Sequence, residues 1–209
     1  MRPRIPKEEF ISRIQRTQEV MRQQGLDLLL CYANEAEPQF VRYYSDYWPS
    51  FETAGVLIPA QGEAMLLIGP ESMTYAKDHS MLPKIRKLLA FRESSEPEYP
   101  GAALSSFTDV IEEAMDGRTP RNIGIAGYSL ISHAIYQNLH AALSVYGDIP
   151  ILHADEVVSK IRVIKSENEI ACLREAYRIT QEAMKAVLSQ IHVGMTENQV
   201  KGIAMAKIF

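Results

Sequence analysis

The residues best suited to metal or acid–base chemistry in this sequence are its histidines, and their spacing does not form a ligand set. None of them belongs to an H-E-x-x-H pattern, in which two histidines one helical turn apart hold zinc beside a catalytic glutamate. His133 and His140 share a predicted helix but lie two turns apart. We therefore interpret the histidines as surface or capping residues: His79, His133, His140, His153 and His192.

The clustered carboxylates also have structural explanations. Asp109, Glu112 and Glu113 fall in the first turns of a predicted helix, where acidic side chains favour the helix dipole. Asp155 follows His153 at a strand-to-helix junction, so we expect it to cap the helix rather than bind a metal. The sequence also lacks the G-x-S-x-G, P-loop and G-x-G-x-x-G patterns, which argues against these classes of hydrolase and nucleotide-binding protein.

The segment from Glu35 to Glu52 is the strongest candidate for a binding surface. Aromatic side chains with polar tips suit a wall that is partly apolar and partly wet. Such a wall could line a ligand pocket, form a subunit interface or simply cover one end of a sheet, and the sequence leaves these alternatives open. The residues concerned are Phe40, Arg42, Tyr43, Tyr44, Tyr47, Trp48 and Phe51.

Alternating helices and strands must position this segment. In the first helix we expect an inner face and a solvent-facing set; the inner residues are Phe10, Ile14, Thr17 and Met21, and the outer ones Arg13, Arg16, Glu19 and Arg22. The strands GVLIPA and EAMLLIG flank Gln61-Gly62 and predict a β-hairpin. This alternation predicts an α/β layer with a mixed sheet and flanking helices. We predict helices at 7–24, 70–80, 102–116 and 129–144, further strands at 26–32, 84–91, 122–127 and 149–153, and a loop at 33–51.

The composition excludes several classes of protein. A net charge of −4 without a basic stripe argues against nucleic-acid binding. No run approaches the roughly 18 apolar residues of a membrane span, and the N-terminal residues MRPRIPKEEF carry no apolar leader, which predicts a cytoplasmic protein that binds no membrane. Cys31 and Cys172 lie in apolar segments and are interpreted as core thiols rather than as a disulfide or zinc site.

The last fifty residues differ in pattern from the rest, because they predict helices only. Ser166 and Glu169 form a capping box that opens a helix to about Ile191, and Thr196 and Gln199 form a second one. The first helix is apolar on two sides and therefore expects partners on two sides. The second shows no stop signal before the chain ends. We expect one domain at 1–158 and, at 159–209, a linker and the first helices of a larger domain.

Four stretches of this sequence resemble one known family. They are EEFISRIQRTQEVMRQQGLDLLLCY, VRYYSDYW, GVLIPAQGEAMLLIGP and the junction IRVIKSENEIACLREAYRIT with GMTENQV after it. The junction carries the pattern R-x-x-K-S-x-x-E-I, and the second stretch has Asp46 where the family usually has glycine. In these features the chain resembles the creatinase, prolidase and aminopeptidase P group of pita-bread metallohydrolases.

The resemblance implies a ribonuclease-H-like N-terminal domain followed by the truncated helical start of a catalytic domain. In the family, two divalent metal ions (Mn, Co or Zn) are held by two Asp, one His and two Glu that lie downstream of the junction. None of these ligands is expected in this chain, and so no metal or catalytic residue is assigned to it. The resemblance therefore implies the N-terminal portion of a metal-dependent Xaa-Pro peptidase-type hydrolase, which would act on a peptide or small amide.

The family's N-terminal domain also supports homodimer assembly and lends side chains to the rim of an active site. By that resemblance the aromatic segment supplies candidate substrate-rim residues, namely Tyr43, Tyr44, Trp48, Phe51 and Glu52. Creatinase has a basic residue near the hairpin start, whereas this chain has the acidic Glu52, which weighs against creatine as the substrate. A non-catalytic binding or assembly module with the same fold remains the alternative function.

Overall fold

The computed structural model describes residues 2–50, 52–93 and 99–209. The chain divides into two compact units. The larger unit is Lys7–Val163, and the smaller one consists of Ile164–Phe209 together with residues 2–6. Each unit is described separately below.

The larger unit is built on a six-stranded mixed sheet with the order β4-β3-β2-β1-β5-β6. Its strands are β1 (Leu28–Asn34), β2 (Thr53–Pro59), β3 (Met65–Ile68), β4 (Ile85–Lys87), β5 (Ile123–Ala126) and β6 (Ile151–His153). The predicted hairpin is confirmed, because β2 pairs with β3 in antiparallel fashion. Strand β2 also pairs antiparallel with β1, whereas the β1–β5, β5–β6 and β3–β4 pairs are parallel. The predicted α/β class with a mixed sheet is therefore confirmed.

Helices cover both faces of this sheet. They are α1 (Lys7–Gln23), α2 (Gln39–Ser45), α3 (Met73–His79), α4 (Phe107–Met115), α5 (His133–Leu143) and α6 (Asp155–Val163). Because successive strand side chains point to opposite faces, β1 contributes to two cores. Leu29 and Cys31 pack in one core with side chains of α1, α2, α3 and α6, whereas Leu28 and Leu30 pack in the other with α4 and α5.

The smaller unit contains two helices, α7 (Glu167–Gln190) and α8 (Glu197–Ile208). Both predicted capping boxes are present: the Ser166 side chain accepts from the Glu169 amide, and Thr196 accepts from the Gln199 amide. Among the residues described in α7, only Ala183 is buried. One predicted apolar stripe is exposed at Leu173, Tyr177, Met184, Leu188 and Ile191.

Two sequence predictions about α1 and α2 are wrong. The predicted loop at 33–51 contains a helix, α2, which forms because Phe40, Val41 and Tyr44 bury one side of it in the core. Arg13 was expected on the solvent face of α1, yet its side chain is only 2% exposed. It is buried because its guanidinium donates to the Tyr43 carbonyl and stacks on that residue's ring.

Several predicted boundaries also move. Helix α4 begins at Phe107 rather than at 102, and α5 begins at His133 rather than at 129. Serine caps set both starts, because the Ser106 and Ser132 side chains accept hydrogen bonds from amides three residues later. Strand β1 begins at Leu28, two residues later than predicted, because Gly25 with φ of +68° and Leu26 still belong to the turn that follows α1.

Candidate functional site

Among the described aromatic residues of this segment, Trp48 is the exposed one. The described part of this segment consists of α2 and the residues that lead to β2. The Trp48 side chain is 40% exposed, and its indole nitrogen donates to the Glu35 carbonyl over 3.0 Å. The Arg42 guanidinium lies 4.8 Å from the centre of the indole ring. These two contacts hold a large, partly apolar side chain in a defined position at the surface.

Tyr43 and Tyr44, by contrast, are buried within the larger unit. The Tyr44 hydroxyl shares a hydrogen bond of 2.8 Å with Thr17 on α1, and burial raises its pKa well above the ordinary value. Tyr43 packs edge-on against Tyr44 and lies under the Arg13 guanidinium at 4.3 Å. In this structure both tyrosines attach α2 to α1. Phe51, another predicted rim residue, lies outside the described residues.

Glu52 is a buried carboxyl next to the start of β2. Its side chain accepts a hydrogen bond from the Tyr47 hydroxyl, and Oε2 has no hydrogen-bond partner among the described residues. Burial raises the pKa of Glu52, and the negative charges of Glu71 and Glu93 raise it further, although hydrogen bonds from Ser72 and Tyr47 act in the opposite direction. This environment makes the charged form of Glu52 less favourable than that of an exposed glutamate.

A surface cavity of about 800 Å³ lies beside Glu52, at the end of β1 and the start of β2. Its lining carries three carboxylates against one guanidinium, so that it favours positively charged groups over anions. The lining residues are Asn34, Glu35, Ala36, Glu52, Thr53, Arg92 and Glu93. Of the four predicted rim residues that the structure describes, only Glu52 lines this cavity.

Asp155 does not cap its own helix, contrary to the sequence prediction. Its Oδ1 accepts from the backbone amides of Gly127 and Tyr128, at 2.7 and 3.1 Å, and its Oδ2 lies 3.0 Å from His153 Nε2. Burial alone would raise the pKa of Asp155, but the hydrogen bonds from these amides and from His153 outweigh burial and lower it. The Asp155 carboxylate therefore links the two residues that follow β5 to His153 at the end of β6.

Replacing Asp155 with asparagine should destabilise the larger unit by about 1–3 kcal/mol at neutral pH, because the charged acceptor of two amides is lost. Since the folded-state pKa lies below the ordinary 3.8, the stability that the carboxylate contributes is present above that value. It should be lost as the pH falls through the folded-state pKa. Urea unfolding between about pH 3 and pH 7 measures both effects.

The matched control for this variant is Glu156→Gln, which removes the same charge from the neighbouring exposed position. Glu156 is exposed and forms a surface ion pair with Lys160, so its replacement should change stability little. Equal effects of the two substitutions would show that the Asp155 hydrogen bonds contribute nothing specific.

No group of three or more His, Cys, Asp or Glu side chains within the described ranges is placed to hold a metal ion. The donors in that part of the chain therefore do not fit a two-metal centre of the kind that the resemblance implies.

Cys31 is buried in the core, as predicted, and burial raises the pKa of its thiol, whereas Cys172 is half-buried. Among the described residues, no helix is both long and apolar enough to cross a membrane.

A family described as the creatinase/prolidase N-terminal domain matches residues 13–164. A search of curated proteins finds no match.

Solved structures similar to this chain include three peptidases. The prolidase from Pyrococcus horikoshii OT3 is 20% identical with a TM-score of 0.66, and the match covers 94% of this chain and 48% of that one. The X-Pro aminopeptidase from Thermotoga maritima MSB8 is 20% identical with a TM-score of 0.69, and the match covers 93% of this chain and 48% of that one. The Xaa-Pro dipeptidase from Bacillus anthracis is 19% identical with a TM-score of 0.65, and the match covers 95% of this chain and 48% of that one. The chain thus spans about half the length of these solved relatives.

Proposed function

Since the chain belongs to the creatinase/prolidase N-terminal domain family, we propose that it serves a metal-dependent Xaa-Pro peptidase-type hydrolase as its N-terminal portion. In this proposal the chain contributes assembly and capping of the active site, and the bond cleavage takes place in a separate catalytic portion. The substrate would be a peptide or small amide, and the protein would be a cytoplasmic homodimer. The two unpaired cysteines suit that reducing compartment.

The observation that carries this proposal is the family match over residues 13–164, together with solved peptidases about twice as long as the chain. Two divalent ions (Mn, Co or Zn) would activate water and stabilise developing charge when bound. The described residues do not supply a donor set for them, so the proposal assigns those ions to the catalytic portion.

Within this chain, the proposed substrate-rim role falls chiefly on Trp48 and Glu52. Trp48 offers exposed aromatic surface in a fixed orientation, and Glu52 lines the acidic cavity. Tyr43 and Tyr44 would act indirectly, because they position α2 from within the core. Phe51 is proposed on the resemblance alone.

Assembly gives the first test. Light scattering should give the wild-type chain a dimeric mass, and Trp48→Ala should shift the mass toward the monomer, because an aromatic anchor at an interface contributes about 2 kcal/mol or more. Tyr128→Ala is the matched control, since Tyr128 is 38% exposed and Trp48 40%. A monomeric wild type, or a dimer unaffected by Trp48→Ala, would remove the interface role.

A second experiment separates an enzyme from a binding module. The longest protein encoded by the gene is assayed for cleavage of a Xaa-Pro dipeptide with Mn²⁺ or Co²⁺, and its sequence is read for two Asp, one His and two Glu in the family's order. Metal-dependent cleavage supports the proposed hydrolase. A complete protein that lacks the ligand set and does not cleave the dipeptide would instead be an assembly or binding module.

A further inference from the structure

A second surface cavity, of about 210 Å³, lies at the other end of β1 and β2 from Glu52. It is bounded by the turn after α1, the turn after β2 and the segment between α4 and β5. Since a strand rises about 3.3 Å per residue, the length of β1 separates the two cavities by roughly 20 Å. The second cavity is therefore distinct from the candidate rim. Its lining residues are Arg22, Gly25, Leu26, Asp27, Pro59, Ala60, Gln61, Met115, Arg118 and Arg121.

Positive charge dominates the lining of this cavity, although the whole chain carries a net charge of −4. Three guanidiniums, those of Arg22, Arg118 and Arg121, line it together with one carboxylate, that of Asp27. Arg121 donates to both oxygens of Asp27, at 2.9 and 2.7 Å, and these hydrogen bonds hold the pKa of Asp27 below its ordinary value. Even with Asp27 ionised, the positive groups outnumber the negative one, so the cavity attracts anions.

Hydrogen bonds to the protein also hold the other two guanidiniums in place. Arg22 Nη1 donates to the Ala60 carbonyl over 3.0 Å, and its Nη2 donates to Glu19 over 2.6 Å. Arg118 Nε donates to the Met115 carbonyl over 2.8 Å. Since these contacts position the guanidiniums before any ligand arrives, less side-chain order has to be gained on binding.

Arg118 retains the most hydrogen-bonding capacity of the three arginines. A guanidinium presents five N–H donors in a fixed fork. Among the described residues, Arg118 uses only its Nε donor, and neither of its Nη nitrogens has a protein acceptor. No carboxylate in that part of the chain forms an ion pair with it either. Both Nη groups are thus available to an anion, which they can bind through two parallel hydrogen bonds.

We propose that this cavity binds a phosphate group, either as inorganic phosphate or as the monoester group of a small metabolite. A phosphate dianion balances the excess positive charge of the lining, and its several oxygens can accept from more than one guanidinium. The volume of about 210 Å³ is below the range of about 300–1,000 Å³ that is typical for drug-sized ligands, so it suits a small anion. This site does not depend on the hydrolase proposal.

Isothermal titration calorimetry of the intact 209-residue chain with inorganic phosphate tests the site. The titration is made near neutral pH at constant ionic strength, because added salt screens exposed charges. The wild type should bind phosphate saturably, at one site per chain. Arg118→Gln should weaken binding about tenfold or more, because it removes charged hydrogen bonds to the anion. Arg118→Lys should restore binding only in part, since an ammonium keeps the charge but not the fork.

Two further variants separate this site from general attraction to the surface. Arg22→Gln should also weaken binding, and because Arg22 lies on a different element it keeps the test valid if Arg118→Gln misfolds. Arg16→Gln removes the same charge from an exposed position outside the cavity and should bind phosphate as the wild type does. Far-UV circular dichroism checks the fold of each variant.

A second titration, with glycerol 2-phosphate, distinguishes the two sources of the phosphate group. Tighter binding of the ester than of inorganic phosphate would support the site and identify a phosphorylated metabolite as its ligand. Tighter binding of inorganic phosphate would support the site and identify the free ion. The proposal would be overturned if neither compound bound saturably, or if Arg16→Gln weakened binding as much as Arg118→Gln does.

Discussion

Gly127→Ala is expected to destabilise the larger unit by about 3 kcal/mol or more, because the position excludes a side chain for two separate reasons. Gly127 has φ of +86°, where an L-residue is strained. A Cβ atom there would also lie 2.4 Å from the Tyr32 carbonyl oxygen and 3.3 Å from the Phe40 ring. The backbone cannot move away freely, because the Gly127 amide donates to Asp155.

Urea unfolding of Gly127→Ala measures this effect, and Gly117→Ala is its control. Gly117 has a similar φ of +74°, but a Cβ atom there would meet nothing within 4 Å. The control should therefore cost only the backbone strain of about 1–2 kcal/mol. Equal losses of stability in the two variants would contradict the close approach of Gly127 to the Tyr32 carbonyl oxygen.

Arg13→Leu should cost the larger unit about 3–5 kcal/mol, because it removes one partner from a buried ion pair. The Arg13 guanidinium lies 2.6 Å from Glu9, whose side chain is only 10% exposed, and it donates to the Tyr43 carbonyl over 2.9 Å. Leucine would leave the Glu9 carboxylate in a poorly hydrated site without this cation. Thermal and urea unfolding at neutral pH measure the loss.

The exposed pair Arg22–Glu19 provides a matched control for Arg13→Leu. Its nitrogen–oxygen distance is also 2.6 Å, but both side chains are well hydrated, so Arg22→Leu should change stability little. The double variant Glu9→Leu/Arg13→Leu should be less destabilised than Arg13→Leu alone, because no uncompensated charge remains. Equal losses for Arg13→Leu and Arg22→Leu would contradict the buried geometry.

Local signals in the sequence predicted most of the fold. The apolar run around Cys31, the hairpin turn at Gln61-Gly62 and the capping boxes at Ser166 and Thr196 each specify their element through neighbouring residues. The α2 helix was missed because aromatic and β-branched residues have weak helix propensity, and tertiary burial forms this helix.

The candidate site was less predictable, because its geometry depends on contacts distant in sequence. The burial of Arg13 depends on Tyr43, and the role of Asp155 depends on the amides after β5. The segment around Trp48 could be identified from its composition, but its division into buried tyrosines and an exposed tryptophan could not. That division requires the docking of α2 onto α1, which no local pattern specifies.

In the proposed hydrolase, bond cleavage belongs to a catalytic portion distinct from this chain. The most direct measurement is hydrolysis of a Xaa-Pro dipeptide by the purified 209-residue chain with saturating Mn²⁺ or Co²⁺, alongside a known prolidase as positive control. Our account predicts no hydrolysis above the rate of buffer and metal alone. Metal-dependent turnover that co-purifies with the folded chain would contradict it.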